Sequence, residues 1–330
     1  MHYLKMMRAY FKAAFLSGFL LLFANAGLAD KPTLVYGAQW LPQAQFAGYY
    51  VAYDQGFYDE AGINVEIIHP TVTVNTIEYL LTGRADVVSL FLITAINNRF
   101  EGIELVNIGQ LSQHSAIMFV SKKDSGIETL EDFDNKRIGV WLSGFQEVPY
   151  SLMADRQVQV EWVPILSSVN LFLMGGLDGM TVMWYNEYKQ IYLSGVNHEE
   201  LNMFFMADYD YDIPEDGLYV LPQTLETKEK ELQAFLEATL RGWDYAAKNR
   251  EYTIELVVRL MREAHIPASY AHQRWMLDRI LELQAREGSA SQRFHLDKED
   301  YQKAISIMER FSAIRSPFTY EEFFRPVLEP

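Results

Sequence analysis

Residues 183–187, Met183-Trp184-Tyr185-Asn186-Glu187, set aromatic rings, an amide and a carboxylate side by side. The run lies where a strand pattern, Met180–Trp184, gives way to a helical one, Glu187–Leu193, so Tyr185, Asn186 and Glu187 arrive together at a helix N-terminus. A carboxylate there has two readings. It can simply complement the helix dipole, worth about 0.3–1 kcal/mol. It can also accept two parallel hydrogen bonds from an amidine-like edge, such as that of a protonated aminopyrimidine. Trp40, after the first strand pattern, offers a flat apolar face and an N–H at its rim, or else covers a sheet end from within the core. Gln43 and Gln45, at the start of the first helical pattern, can hydrogen-bond a ligand or meet water. Tyr49, one turn beyond Gln45, backs such a pocket or packs in the core. Ser89 ends the third strand and either binds ligand or caps the next helix. In the loop Trp141-Leu142-Ser143-Gly144-Phe145, Trp141 either faces Trp40 across a cleft to sandwich a planar ring or is buried, and Ser143 lies among backbone N–H groups able to meet a ligand.

Other chemistries are poorly supplied. The chain has no cysteine, which excludes disulfides, thiolate metal sites, a cysteine nucleophile and a lipid-modified N-terminal cysteine. Its seven histidines, at 2, 69, 114, 198, 265, 272 and 295, show no zinc-protease spacing, and no serine sits in a nucleophile-elbow pattern. No catalytic residue, metal site or cofactor is therefore expected. Forty-four acidic against 28 basic residues give a net charge of −16, which disfavours a nucleic-acid partner. Sulfonate or nitrate would call for Arg or Lys in the cleft, and segments 40–50, 89–94, 141–146 and 184–188 contain neither.

The elements that would position these residues are α/β in rhythm. Lys5, Arg8 and Lys12 precede an apolar run from Ala13 to Ala24, and small residues follow to Ala29. This is the plan of a secretory signal peptide over residues 1–29, too short to span a bilayer as an anchor. Cleavage would remove three cations and take the net charge from −16 to −19. Strand patterns at Thr33–Ala38, Ile63–Ile68 and Ala85–Ser89 alternate with helical ones at Gln45–Asp54, Asn75–Thr82 and Ile93–Phe100, which argues for a parallel sheet with covered faces. Strands are expected at Leu105–Leu111 and Ala116–Ser121 as well. After the polar segment Lys122–Gly126, Thr129–Asp132 reads as a capping-box helix start. A second series of strands follows at Arg137–Trp141, Val158–Val163, Met180–Trp184 and Leu201–Phe205. From Thr227 long helices take over, beginning with Leu232, Phe235, Leu236, Leu240, Trp243 and Ala247 on one face.

One ordered set of segments is more specific. Trp40-Leu41-Pro42-Gln43-Ala44-Gln45-Phe46-Ala47-Gly48-Tyr49-Tyr50-Val51-Ala52, then Gln55-Gly56-Phe57-Tyr58 and Ala61-Gly62-Ile63-Asn64-Val65, resembles the opening of periplasmic solute-binding proteins of the thiamine-pyrimidine-precursor and alkanesulfonate group. Gly83-Arg84-Ala85-Asp86-Val87, Thr129–Val140 and Glu215-Asp216-Gly217-Leu218-Tyr219 resemble later steps of the same family, so the likeness spans nearly the whole exported chain. It implies a type II periplasmic-binding-protein fold, two α/β lobes with a hinge and a helical C-terminal tail. Lobe 1 would be 30–120 plus 218–330 and lobe 2 would be 121–217. It implies a monomer in the periplasm with two partners, a small planar nitrogen heterocycle between the lobes and the membrane permease of an ATP-driven importer. It favours the ligand-acceptor role for Tyr185, Asn186 and Glu187. The alternatives are a clamp that reports ligand to a membrane sensor protein, a kinase or cyclase, and an alkanesulfonate or taurine carrier. Some relatives are pyrimidine synthases that consume a cleft histidine and carry a cysteine-rich loop. Thr94 stands where that histidine would be, and no cysteine is present.

Overall fold

The computed structural model describes residues 31–71, 74–141, 146–166, 168–285, 293–311 and 318–328. Residues 1–29, where a signal peptide is expected, and Ser143 lie outside them. From Thr33 the chain begins a strand, β1 (Thr33–Gly37), then a single 3-10 turn, Ala44–Phe46, runs into α1 (Ala47–Asp54) and α2 (Phe57–Glu60). β2 (Asn64–Ile68), α3 (Thr76–Leu81), β3 (Val87–Phe91), α4 (Leu92–Phe100) and β4 (Val106–Gln110) follow. The Asn75 side chain caps α3 by accepting the Glu78 N–H.

The chain then passes to a second sheet, with β5 (Ile117–Lys122), β6 (Arg137–Trp141), α5 (Glu147–Asp155), β7 (Glu161–Ile165), α6 (Asn170–Leu173), β8 (Gly179–Met183), α7 (Glu187–Leu193) and β9 (Leu201–Phe205). It returns in β10 (Asp216–Val220) and ends in helices α8 (Pro222–Lys248), α9 (Arg250–Glu263), α10 (Tyr270–Leu283), α11 (Lys298–Phe311) and α12 (Tyr320–Phe323). The first sheet has the order β2-β1-β3-β10-β4 and the second β7-β6-β8-β5-β9. Two mixed α/β sheets with a helical C-terminal region are the fold the sequence resemblance implies.

Two expectations need correction. The sheets are not all parallel: β10 runs antiparallel to β3 and β4, and β5 antiparallel to β8 and β9. A strand that enters a sheet on crossing from the other one arrives at the cleft end, so it runs against the βαβ strands. The same pairing puts β5 in the second sheet and Asp216, opposite Phe91, in the first. Locally, Thr129–Asp132 starts no long helix. Asp132 Oδ2 accepts the N–H groups of Glu128 and Thr129 and the Thr129 hydroxyl, closing one 3-10 turn at Glu131–Phe133. The strand expected at Val158–Val163 is β7, a few residues later.

The C-terminal helices pack back on the first sheet. Leu232, Phe235 and Leu236 of α8 and Met276, Leu277 and Ile280 of α10 share one apolar cluster with Leu34 and Tyr36 of β1. α8 and α1 approach closely enough to exclude side chains at their crossing. A Cβ at Gly48 would lie 2.3 Å from the Trp243 ring, and one at Gly242 would lie 2.1 Å from the Gly48 carbonyl oxygen. At Lys228 the backbone of α8 leaves helical geometry, and the Lys228 ammonium donates to Asp86 Oδ1 at 2.7 Å. No helix among the described residues is long and apolar enough to cross a membrane.

Candidate functional site

In open α/β sheets the ends of the parallel strands face a common crevice. Here the ends of β1 and β3 meet those of β6 and β8 around a cleft of about 510 Å³. From the first sheet come Gln39 and Trp40 after β1, Gln43 and Gln45 around the 3-10 turn, and Phe91 at the end of β3. From the second come Trp141 at the end of β6, Met183 at the end of β8, and Tyr185, Asn186 and Glu187. Trp40 stays 42% exposed, with its face available to solvent or a ring. Trp141 is half-buried and donates its Nε1–H to the Leu166 carbonyl at 3.0 Å.

Among the described residues, the one carboxylate in the cleft lining is Glu187, and two more buried carboxylates, Asp216 and Glu215, lie behind it. Glu187 begins α7 and is 5% exposed. Its Oε2 accepts the Met183 N–H at 3.1 Å and its Oε1 accepts the Asn186 side-chain N–H at 2.7 Å. Asn186 in turn accepts from the Gln190 amide at 3.0 Å. Burial pushes the Glu187 carboxyl up to about 7 despite these donors. On the facing lobe, Asp216 accepts from Gln39 at 2.7 Å and from Gln45 at 2.9 Å, and burial pushes it up to about 6. Gln43 donates to the Gln45 side-chain oxygen at 2.7 Å, so Gln43 and Gln45 form one chain ending on Asp216, which Gln39 reaches separately. At the crossing between the sheets, Glu215 accepts the Ala116 N–H at 2.6 Å, and burial pushes it up to about 8. The buried Tyr185 phenol is raised well above its ordinary value by burial, with Glu215, Asp216 and Glu187 adding to the effect. None of the residues lining the cleft is a lysine or arginine.

Seven of the ten residues singled out from sequence line this one cleft: Trp40, Gln43, Gln45, Trp141, Tyr185, Asn186 and Glu187. Two others do not reach it. Tyr49 is 1% exposed and stacks on Tyr36 with ring centroids 4.3 Å apart, a core position. Ser89 is buried behind the wall, where its Oγ accepts the Tyr36 hydroxyl and the Gln39 N–H, both at 3.0 Å. It fixes the Gln39–Trp40 turn instead of facing the cleft. Ser143 is outside the described residues. Sequence reasoning missed Gln39, Phe91 and Asp216. Gln39 sits beside Trp40 after β1 and obeyed the same rule. Phe91 was lost because β3 runs two residues past Ser89. Asp216, behind the lining glutamines, is unreadable as their anchor without knowing that β10 is antiparallel. His69, which gave no sequence signal beyond a polar strand end, hydrogen-bonds the Trp40 carbonyl at 2.6 Å and the Tyr50 hydroxyl at 3.1 Å.

Comparison with known proteins places this geometry among relatives. The model of the NMT1/THI5 like family matches residues 43–252. The formylaminopyrimidine-binding protein of Halalkalibacterium halodurans is 21% identical over 305 residues, covering 88% of each chain. The 4-amino-5-hydroxymethyl-2-methylpyrimidine phosphate synthase of Legionella pneumophila is 26% identical over 256 residues, 74% of this chain and 78% of its own. Among solved structures, the periplasmic aliphatic sulphonate binding protein SsuA from Escherichia coli superposes with a TM-score of 0.65 at 16% identity, over 86% of this chain and 95% of that one. That likeness shows a shared fold, the periplasmic-binding-protein fold.

Proposed function

The chain belongs to the NMT1/THI5-like family, and on that premise we propose that it is the exported solute-binding component of an ATP-driven importer, closing two lobes on a planar nitrogen heterocycle of the aminopyrimidine class. The observation that carries this reading is Glu187: a buried carboxylate with no cationic side chain lining its cleft, facing the same space as Trp40 and Trp141. A buried carboxylate without a cation is costly unless something neutralises it. A ring nitrogen with an adjacent amino group supplies two parallel donors once protonated, or one donor and one acceptor to a protonated Glu187. The two indoles supply apolar faces for the ring. The Halalkalibacterium relative, named for binding a formylaminopyrimidine, supports the same ligand class.

An alkanesulfonate carrier is disfavoured on the same ground, because a sulfonate in this cleft would meet the Glu187 carboxylate and, among the described residues, no lysine or arginine. A pyrimidine synthase is disfavoured by Thr94 and by the absence of cysteine. Import and sensing both use closure about a hinge, and an adjacent permease or ATPase gene would favour import. The test is a thermal-shift screen of aminopyrimidines, taurine and nitrate. A ligand at 100 times its Kd stabilises the native state by about 2.7 kcal/mol, so a binder is readily seen. Stabilisation by taurine alone would overturn the ligand class.

A further inference from the structure

Helix α10 belongs to the C-terminal helices that cover the first sheet, and Met276, Leu277 and Ile280 are buried in that lobe. Its N-terminal half has a second role. Gln273, 1% exposed, accepts the Ala44 N–H at 2.7 Å, and so holds the turn that carries Gln43 and Gln45. Its near neighbours reach across to the other lobe. Trp275 packs against the apolar cluster of the second sheet, and its ring meets Trp184 edge-on with centroids 4.8 Å apart. Its Nε1–H donates to the Trp184 carbonyl at 2.9 Å. The His272 ring lies beside the Asn186 backbone, which favours its protonated form against burial. Its Nε2 is buried without a partner. The Trp184 carbonyl that Trp275 holds belongs to the turn that ends at Glu187.

We infer that Trp275, with His272 packed beside it, is a positioning residue, which holds the Trp184–Asn186 turn from the opposite lobe and thereby sets Asn186 and Glu187 against the ligand. The inference rests on the clamp proposed above. A carbonyl gripped from the other lobe is gripped only while the lobes are together, so this bond stabilises the closed form and not the open one. Because Gln273 lies between the two, one helix end fixes the ligand-facing turns of both lobes in a single frame. Neither Trp275 nor His272 lines the cleft, so neither supplies a ligand contact of its own.

The experiment uses the cysteine-free chain with Glu226→Cys on one lobe and Glu199→Cys on the other, spin-labelled for a distance measurement. Trp275→Phe keeps an aromatic ring and loses the N–H. His272→Phe removes the imidazole beside the Asn186 backbone. In each, the unliganded distance distribution is expected to shift toward the open form. Affinity for the probe 4-amino-2-methylpyrimidine is expected to fall roughly three- to tenfold, as for one lost hydrogen bond. Unchanged distances and affinity in both variants would overturn the inference, as would a lowered Tm with unchanged distances, which marks a merely structural role. If the unsubstituted protein fails to bind the pyrimidine, the proposed ligand class fails, and the distances alone still decide the role of Trp275 and His272.

Discussion

Gln45 and Asp216, 171 residues apart in sequence, are joined by the Gln45 amide, which donates to both carboxylate oxygens at 3.2 and 2.9 Å. The bond ties the turn before α1 to the strand by which the chain re-enters the first sheet. Asp216 therefore acts as the anchor of the glutamine chain that forms one wall of the cleft. Asp216→Leu is expected to leave Gln39 and Gln45 without their acceptor. Each buried amide left unpaired costs about 1–3 kcal/mol, so the unfolding free energy should fall by that order in a urea titration. Ligand affinity should fall with it. Wild-type stability and affinity together would show that the glutamines do not depend on Asp216.

Glu187→Gln tests the carboxylate itself. The side chain is isosteric, so the Met183 N–H keeps an oxygen acceptor, while the charge is lost. Hydrogen bonds to a charged group are worth about 1.5–3 kcal/mol, and affinity for an aminopyrimidine is expected to drop at least tenfold by calorimetry. An unchanged Kd would remove Glu187 from the site.

The three raised carboxyls make stability depend on pH in a defined direction. Burial takes Glu187 to about 7, Glu215 to about 8 and Asp216 to about 6. Each binds its proton more tightly folded than unfolded, where ordinary values lie near 4. The folded state therefore binds more protons between about 4 and about 8, and stability falls as pH rises through that window. Unliganded protein should melt at a lower temperature at pH 8 than at pH 5.5, and Glu187→Gln should flatten part of the slope. A Tm that rises from pH 5.5 to 8 would contradict the burial of these groups.

Gly242→Ala tests the crossing that supports the site from behind. The added methyl would lie 2.1 Å from the Gly48 carbonyl oxygen, on backbone that cannot swing aside. α1 and α8 must then separate, and Trp243 loses its seat. Overpacking of this kind costs about 1–3 kcal/mol and often more. A midpoint in denaturant equal to wild type would show that the helices have slack.

The sequence made the strand ends legible because parallel βαβ units leave a periodic trace, and β6, α7 and β9 begin and end where the patterns of Arg137–Trp141, Glu187–Leu193 and Leu201–Phe205 do. Since those ends face the cleft, Trp40, Trp141 and the Tyr185–Glu187 run could be placed without coordinates. The direction of β5 and β10 could not, because an antiparallel crossing strand has the same composition as a parallel one. Asp216 was lost with it. Tyr49 and Ser89 failed for a different reason. Each lies within one residue or one turn of the cleft, and burial at that range is decided by which way a side chain points. Trp275 lay on a helix with no local signal, since its partner, Trp184, is 91 residues away.

The account stands or falls on what enters the cleft. Calorimetric titration of the protein with 4-amino-2-methylpyrimidine and, separately, with taurine tests this most directly. Saturable binding of the pyrimidine, lost in Glu187→Gln, with no heat from taurine, is the predicted result. Binding of taurine with none of the pyrimidine would contradict it.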